Sequence, residues 1–210
     1  MIRKSLGVAV VAFASQMAAA IYLPLAETDP DRIVDNGAKV EIRGGDVLIT
    51  ATEPLAEVKI EWRCDFPDAI VLGDQWERTY GDTYWRPVRI PRSMPWYFLC
   101  KDGTRTDGYG VMTQPNAFAS FRTDGHVLTL TIDVRAAGRP VELKGRTLKA
   151  VTLVSRKGRP GESAFAAGTN FCMMMCPHPR LPRSLSMATT TGTAPTGCRR
   201  QRRFCGMPRR

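Results

Sequence analysis

At 210 residues the chain is long enough for one well-buried domain with extensions, and its formal charge of +10 first points to nucleic acid. Eight arginines and no acid follow Pro177, however, which leaves +2 for the first 176 residues. A body this close to neutral excludes an extended phosphate-tracking groove, so no nucleic-acid partner is expected.

Residues 1–20 read as an export signal: Arg3 and Lys4 form a positive start, Leu6 to Ala14 an apolar core, and Ala18-Ala19-Ala20 a small-residue cleavage site. That core is too short to span a bilayer, and no later apolar run approaches that length, so no membrane contact is expected beyond the leader. Cleavage there implies a periplasmic or secreted protein. The other reading, with Gly7 to Val11 as an ordinary first strand, leaves it cytoplasmic. Export would permit disulfides, and Cys64 and Cys100, both in strand-like surroundings, are the pair to consider.

Beyond the leader, Ala38 to Arg43, Gly44-Gly45 and Asp46 to Thr52 form a hairpin signature. Val58, Ile60 and Trp62 then alternate with Lys59, Glu61 and Arg63, as expected of a sheet with one wet face. Ala69 to Leu72 leads into the stretch Leu72 to Arg86, which carries four aromatics, three carboxylates, two arginines and two glycines. It has neither strict alternation nor a helical stripe. It reads either as a loop plugging one end of a core or as a sugar-facing loop, since flat rings beside carboxylates suit a ligand with apolar faces and polar edges. On the second reading Trp76, Glu77, Asp82 and Trp85 are the candidate substrate-binding residues.

Pro87, Pro91 and Pro95 are expected to break regular pairing. Met94 to Cys100 resumes as a buried strand, Lys101-Asp102-Gly103 turns it, and Tyr109 to Thr113 returns. Ala117 to Arg122 and His126 to Arg135 make another hairpin, with Leu128, Leu130, Ile132 and Val134 on one face. Val141 to Leu143 and Thr147 to Ser155 supply the last strands. About ten short β segments separated by turn residues favour an all-β fold, an antiparallel sandwich. One helix is expected from Pro160 to Cys176, with Phe165, Thr169, Cys172 and Cys176 on its common side. From Arg183 the chain loses periodicity, and disorder is expected for residues 183–210.

Little in the chain points to catalysis. Glycoside hydrolysis needs two carboxyls at a set separation, and Asp74, Glu77 and Asp82 in an irregular loop establish none, so no catalytic residue is assigned. Cys172, Cys176 and His178 have the look of a metal cluster but lack a fourth ligand, and no metal is expected. There is no phosphate-cradling glycine loop and no nucleophile elbow, hence no cofactor.

Several strings nevertheless resemble one known arrangement. They are Ile33 to Ala38, Leu72 to Asp82, Met94 to Leu99, Asp107 to Val111, Val154 to Gly158, Pro160 to Ser163 and Pro179 to Pro182. Over residues 33–182 they resemble the amino-terminal domain of bacterial alpha-galactosidases of the melibiase type (family 36-like glycoside hydrolases). The resemblance implies a supersandwich-like β-sandwich ahead of a (β/α)8 barrel that carries the catalytic aspartates. In that family the sandwich packs on the barrel and can lend a loop to the rim of the sugar site, for which the aromatic stretch is the candidate. A barrel needs about 250 residues, and only 28 follow Pro182. The resemblance therefore implies a truncated chain, inactive alone, that binds galactosides weakly at most and lacks its natural packing partner. It also implies a frameshifted tail. The family continues with Tyr-Gly-Asn-Asn-Asp-Trp-Tyr, and reading Ser186 to Thr193 in a shifted frame is compatible with that string at all seven positions. A free-standing carbohydrate-binding module using Trp76, Trp85 and Trp96 is the alternative.

Overall fold

The computed structural model describes residues 21–75, 84–90, 92–103 and 105–179; the expected leader (1–20) and tail (183–210) lie outside them. The alternating segments become two antiparallel sheets. The five-stranded sheet has the order β1-β4-β11-β10-β7, with β1 at Arg32–Val34, β4 at Glu57–Arg63, β7 at Met94–Pro95, β10 at Phe118–Thr123 and β11 at Val127–Asp133. The seven-stranded sheet has the order β2-β3-β12-β9-β8-β5-β6, with β2 at Lys39–Arg43, β3 at Asp46–Thr50, β5 at Ile70–Gly73, β6 at Arg86–Pro87, β8 at Tyr97–Asp102, β9 at Arg105–Val111 and β12 at Thr147–Arg156. The architecture is the expected all-β sandwich with one helix, α1 (Ala164–Met175).

Side chains of period two explain the core. Val58, Ile60 and Trp62 of β4 and Leu128, Leu130 and Ile132 of β11 are fully buried, while Glu57, Lys59 and Glu61 point the other way. Register places Ile60 opposite Leu130 and Trp62 opposite Leu128, so both strands present their apolar set to the same interior. Each such side chain contributes about 1.5–3 kcal/mol on burial. Across the interior Phe98 of β8 meets Phe121 of β10 at 5.6 Å between ring centroids, and beside it on the same sheet Tyr109 of β9 at 5.0 Å. The β2–β3 hairpin closes as expected over Gly44 and Gly45, both at positive φ, with Arg43 paired to Asp46.

The core reaches further towards the amino terminus than Ile33. Leu23 and Leu25 are buried, and the Tyr22 hydroxyl and the Leu25 N–H both donate to Ser155 Oγ, at 3.0 and 3.1 Å.

Three local expectations need correction. Pro87 and Pro95 do not end pairing; each lies in a two-residue strand at a sheet margin, opposite Ile70 and Ser120. A margin leaves one side of a strand without a neighbour, so the missing N–H costs nothing there. Val141 to Leu143 is not a strand: Val141 makes a single bridge to Leu55, and Leu143 turns inward to the core. Finally, Cys64 and Cys100 are free thiols. Burial pushes Cys64 up to about 12, a thiol with little tendency to ionise at neutral pH.

The helix, Ala164–Met175, starts later and ends earlier than the expected Pro160 to Cys176 and faces differently. Ser163 caps it, its hydroxyl accepting from the Ala166 N–H at 3.1 Å. The buried side is Ala167, Phe171 and Met175; Phe165 is 85% exposed and Cys172 is exposed. Phe165 lies two positions from Ala167, about 200° round the helix. The deciding partner is β9. A Cβ on Gly108 would come within 2.4 Å of the Phe171 ring, and one on Gly110 within 3.1 Å, so two glycines on one strand face hollow out a seat for that ring. Leu99, Phe171 and Met175 form a second, small core there, flanked by Leu72, Trp85, Tyr97 and Val154.

Candidate functional site

The aromatic stretch connects β5 to β6, two strands that pair antiparallel at the margin of the seven-stranded sheet, Val71 opposite Arg86. Its described parts are therefore a stem: Leu72 to Gln75 on one side and Tyr84 to Arg86 on the other. Trp76, Glu77 and Asp82 lie outside the described residues. Trp85 is described, and it is half-buried against the Leu99–Phe171–Met175 cluster. It thus covers the flank of the helix seat rather than an end of the main core.

Arg92 ties the stem together. Its Nη2 donates to the carbonyl oxygen of Gly73 and to that of Asp74 at 3.2 Å. Burial, and next the guanidinium of Arg86, push Arg92 below its ordinary value. Arg86 lies with its guanidinium carbon 4.1 Å from the Tyr84 ring centroid, a cation–π contact. Its Nε is sealed from solvent and, alone among the buried side-chain nitrogens and oxygens of the described residues, meets no hydrogen-bond partner. An unmet buried donor costs about 1–3 kcal/mol, more when it belongs to a charged group.

A second aromatic feature sits where the chain passes from one sheet to the other. Trp96, between β7 and β8, donates its N–H to Ala119 of the five-stranded sheet at 2.9 Å and accepts from Val111 of the seven-stranded sheet at 3.0 Å. Serving both sheets holds its backbone at φ 67°, a conformation rare for a bulky residue. Its ring lies 5.6 Å from that of Phe118, which is 54% exposed. The pair separates two hollows. One, of about 300 Å³, lies between Trp96, Gln114, Pro115 and Met175. The other, of about 410 Å³, crosses the outer face of the five-stranded sheet along Glu57, Phe118, Ser120, Thr131, Asp133 and Arg135.

Glu57 and Asp133 stand opposite each other in register, which sets their Cβ atoms about 4.5–5.5 Å apart. Carboxyl spacing of that order occurs in retaining glycosidases, but one carboxyl of such a pair must keep its proton. Asp133 cannot: Arg135 donates to it from Nε at 3.0 Å and from its backbone N–H at 2.9 Å, which holds the carboxyl below the usual carboxylate range. Glu57 is itself engaged by Lys59 at 3.0 Å. The groove can accept hydrogen bonds and stack a ring on Phe118.

Among the described residues no three of His, Cys, Asp and Glu converge to hold a metal, Cys172, Cys176 and His178 included. Sequence reasoning passed over Arg86, Arg92 and Phe118. A signal for the first two was present: Arg86, Arg89 and Arg92 recur every third residue in a run from Thr83 to Lys101 that contains no acid. No protein family, curated protein or solved structure matches the chain.

Proposed function

We propose that the chain is an amino-terminal β-sandwich domain of an alpha-galactosidase-like glycoside hydrolase, an accessory that presents the 72–86 stretch to a galactoside held by a separate catalytic barrel. The observation that carries this reading is where the strings of the resemblance lie. Spread between Leu72 and Ser163 in sequence, five of them converge on the α1 seat. Leu72 and the Tyr97–Leu99 segment line it, and Gly108 and Gly110 hollow it. Val154 flanks it, and Glu162 and Ser163 fix the helix that fills it. A shared set of strings that also forms one packed unit is what common ancestry of a domain would leave. The ionised state of Asp133 supports an accessory role over a catalytic one.

The test has two parts. Incubated with an aryl alpha-galactoside, the purified chain is expected to give no turnover above the uncatalysed rate. Mixed with a melibiase-type barrel expressed without its own sandwich, it is expected to associate and raise the thermal stability of the barrel. Turnover abolished by Glu57→Gln, or no association with the barrel, overturns the proposal.

The Trp96–Phe118 pair favours a second reading, a free-standing carbohydrate-binding module, because an exposed ring beside hydrogen-bonding groups is a platform for a sugar face. Millimolar or tighter affinity of the chain alone for galactosides, lost in Phe118→Ala, would establish it.

A further inference from the structure

The outer face of the five-stranded sheet repeats one device on two neighbouring strands. On β4, Glu57 is engaged at 3.0 Å by Lys59, two residues along. At the end of β11, Asp133 is engaged by Arg135, again two residues along, from Nε at 3.0 Å and from the backbone N–H at 2.9 Å. Antiparallel register sets these groups in rows across three strands. One row is Phe118, Asp133 and Glu57, and the next is Ser120, Thr131 and Lys59. Facing residues in such rows stand about 4.5–5.5 Å apart at Cβ. The hollow of about 410 Å³ is lined from both rows. Among the described residues the hydroxyls of Ser120 and Thr131, opposite each other on its floor, meet no hydrogen-bond partner.

We propose that this groove binds a neutral saccharide. A pyranose ring stacks its C–H face on Phe118, and its hydroxyls bond to Ser120, Thr131 and the Asp133–Arg135 pair. Charge decides the class of ligand. Each carboxylate of the groove comes with its own cation, so a carboxylate or ammonium on the ligand would meet a like charge as near as an opposite one. A neutral polyol instead uses both kinds of group, accepting from the guanidinium and donating to the carboxylates. Pairing along one strand also fixes these side chains before the ligand arrives, which lowers the cost of binding. The volume suits a small molecule, for which sites of about 300–1,000 Å³ are usual. The proposal rests on the second reading for the role of Phe118 and extends it with a ligand class and four further residues. It needs neither the barrel nor the 72–86 stretch, whose flanking strands belong to the other sheet.

Titration of the full chain with methyl alpha-galactoside, methyl alpha-glucoside, galacturonate and galactosamine, followed by NMR, tests it. At least one neutral glycoside is expected to bind at millimolar or tighter affinity and to shift the Ser120 and Thr131 resonances saturably. Both charged sugars are expected to bind at least fivefold more weakly. The double variant Ser120→Ala with Thr131→Val is expected to weaken binding at least tenfold at an unchanged Tm, since both side chains lie on the outer face. No saturable response to either neutral glycoside overturns the proposal, as does a charged sugar that binds more tightly than the neutral ones. Binding kept in the double variant but lost in Phe118→Ala also overturns it, and leaves the module reading standing. Shifts confined to Tyr84 to Arg86 overturn it as well, and favour the glycosidase reading instead.

Discussion

Two regions of the seven-stranded sheet, its middle at β12 and β9 and its margin at β5 and β6, handle arginine in opposite ways. Beside α1, Arg156 forks onto Glu162 at 2.8 and 3.0 Å, and Arg105 forks onto Asp107 at 2.9 to 3.1 Å. Glu162 also accepts from Asn170 and the Arg159 N–H, and Asp107 from the Gly158 N–H. Each carboxylate has its lone pairs filled, and each pair is mostly shielded, with side-chain exposures of 7–15%. At the β5–β6 margin the guanidiniums have only carbonyls and a ring. Saturated ion pairs lock a helix in register, whereas a buried donor left without an acceptor costs stability.

The comparison can be broken most severely at the seat itself. Phe171→Ala is expected to cost about 3–5 kcal/mol, since it empties a glycine-lined hollow that no neighbour can collapse into. Urea denaturation reads this directly, and a loss below about 1 kcal/mol means the helix does not depend on that ring. Asp107→Asn removes the shielded carboxylate onto which Arg105 forks, with an expected cost of about 2–4 kcal/mol, discounted for partial exposure. An equal cost in the double variant with Arg105→Met would show that the ion pair itself contributes nothing.

A weaker probe is pH. Hydrogen bonds, first from Arg156 and then from the Arg159 N–H, lower Glu162 from its ordinary 4.5 to about 2. A depressed carboxyl contributes stability above its unfolded value and loses it as pH falls through the folded one. Helix docking is therefore expected to weaken between pH 4.5 and about 2, seen as loosening of the Phe171 ring by near-ultraviolet dichroism or NMR. Glu162→Gln should flatten that dependence; an unchanged acid profile assigns it to other carboxylates. The smallest effect is expected at the β5–β6 margin. Arg86→Met removes an unmet donor and should alter stability by less than about 1 kcal/mol in either direction. A loss beyond about 2 kcal/mol would mean Arg86 is a structural pillar and would erase the contrast.

Strand alternation was the legible part of the fold. Val58-Ile60-Trp62 and Leu128-Leu130-Ile132 declared their inward face because a half-buried strand needs no knowledge of its partner beyond that a core exists. The helix face was not legible. Phe165 and Phe171 are equally apolar, and the choice between them is made by Gly108 and Gly110, some sixty residues away, which leave room for one ring only. Of the candidate binding residues, Trp85 turns to the seat, where Leu99 and Met175 offer it more apolar contact than solvent does. Arg86 and Arg92 were invisible for a different reason: an arginine that lacks a partner looks, in sequence, like one that has found it.

The anchoring of Tyr22 and Leu25 on Ser155 Oγ has a consequence for how the molecule comes into being. The two ends of those hydrogen bonds are 133 and 130 positions apart. A ribosome works from the amino end, so the leading segment is made first and lacks its Ser155 anchor until that residue has emerged. Before that, its partner is Tyr109 of β9, through the Leu23 N–H, and the segment is expected to stay open to protease until β12 pairs with β9 and brings Ser155 beside it. Contacts this distant in sequence also slow the final closure. Nascent chains arrested short of β12 should stay sensitive to protease at this segment, and those that expose residue 155 should shed that sensitivity in a single step.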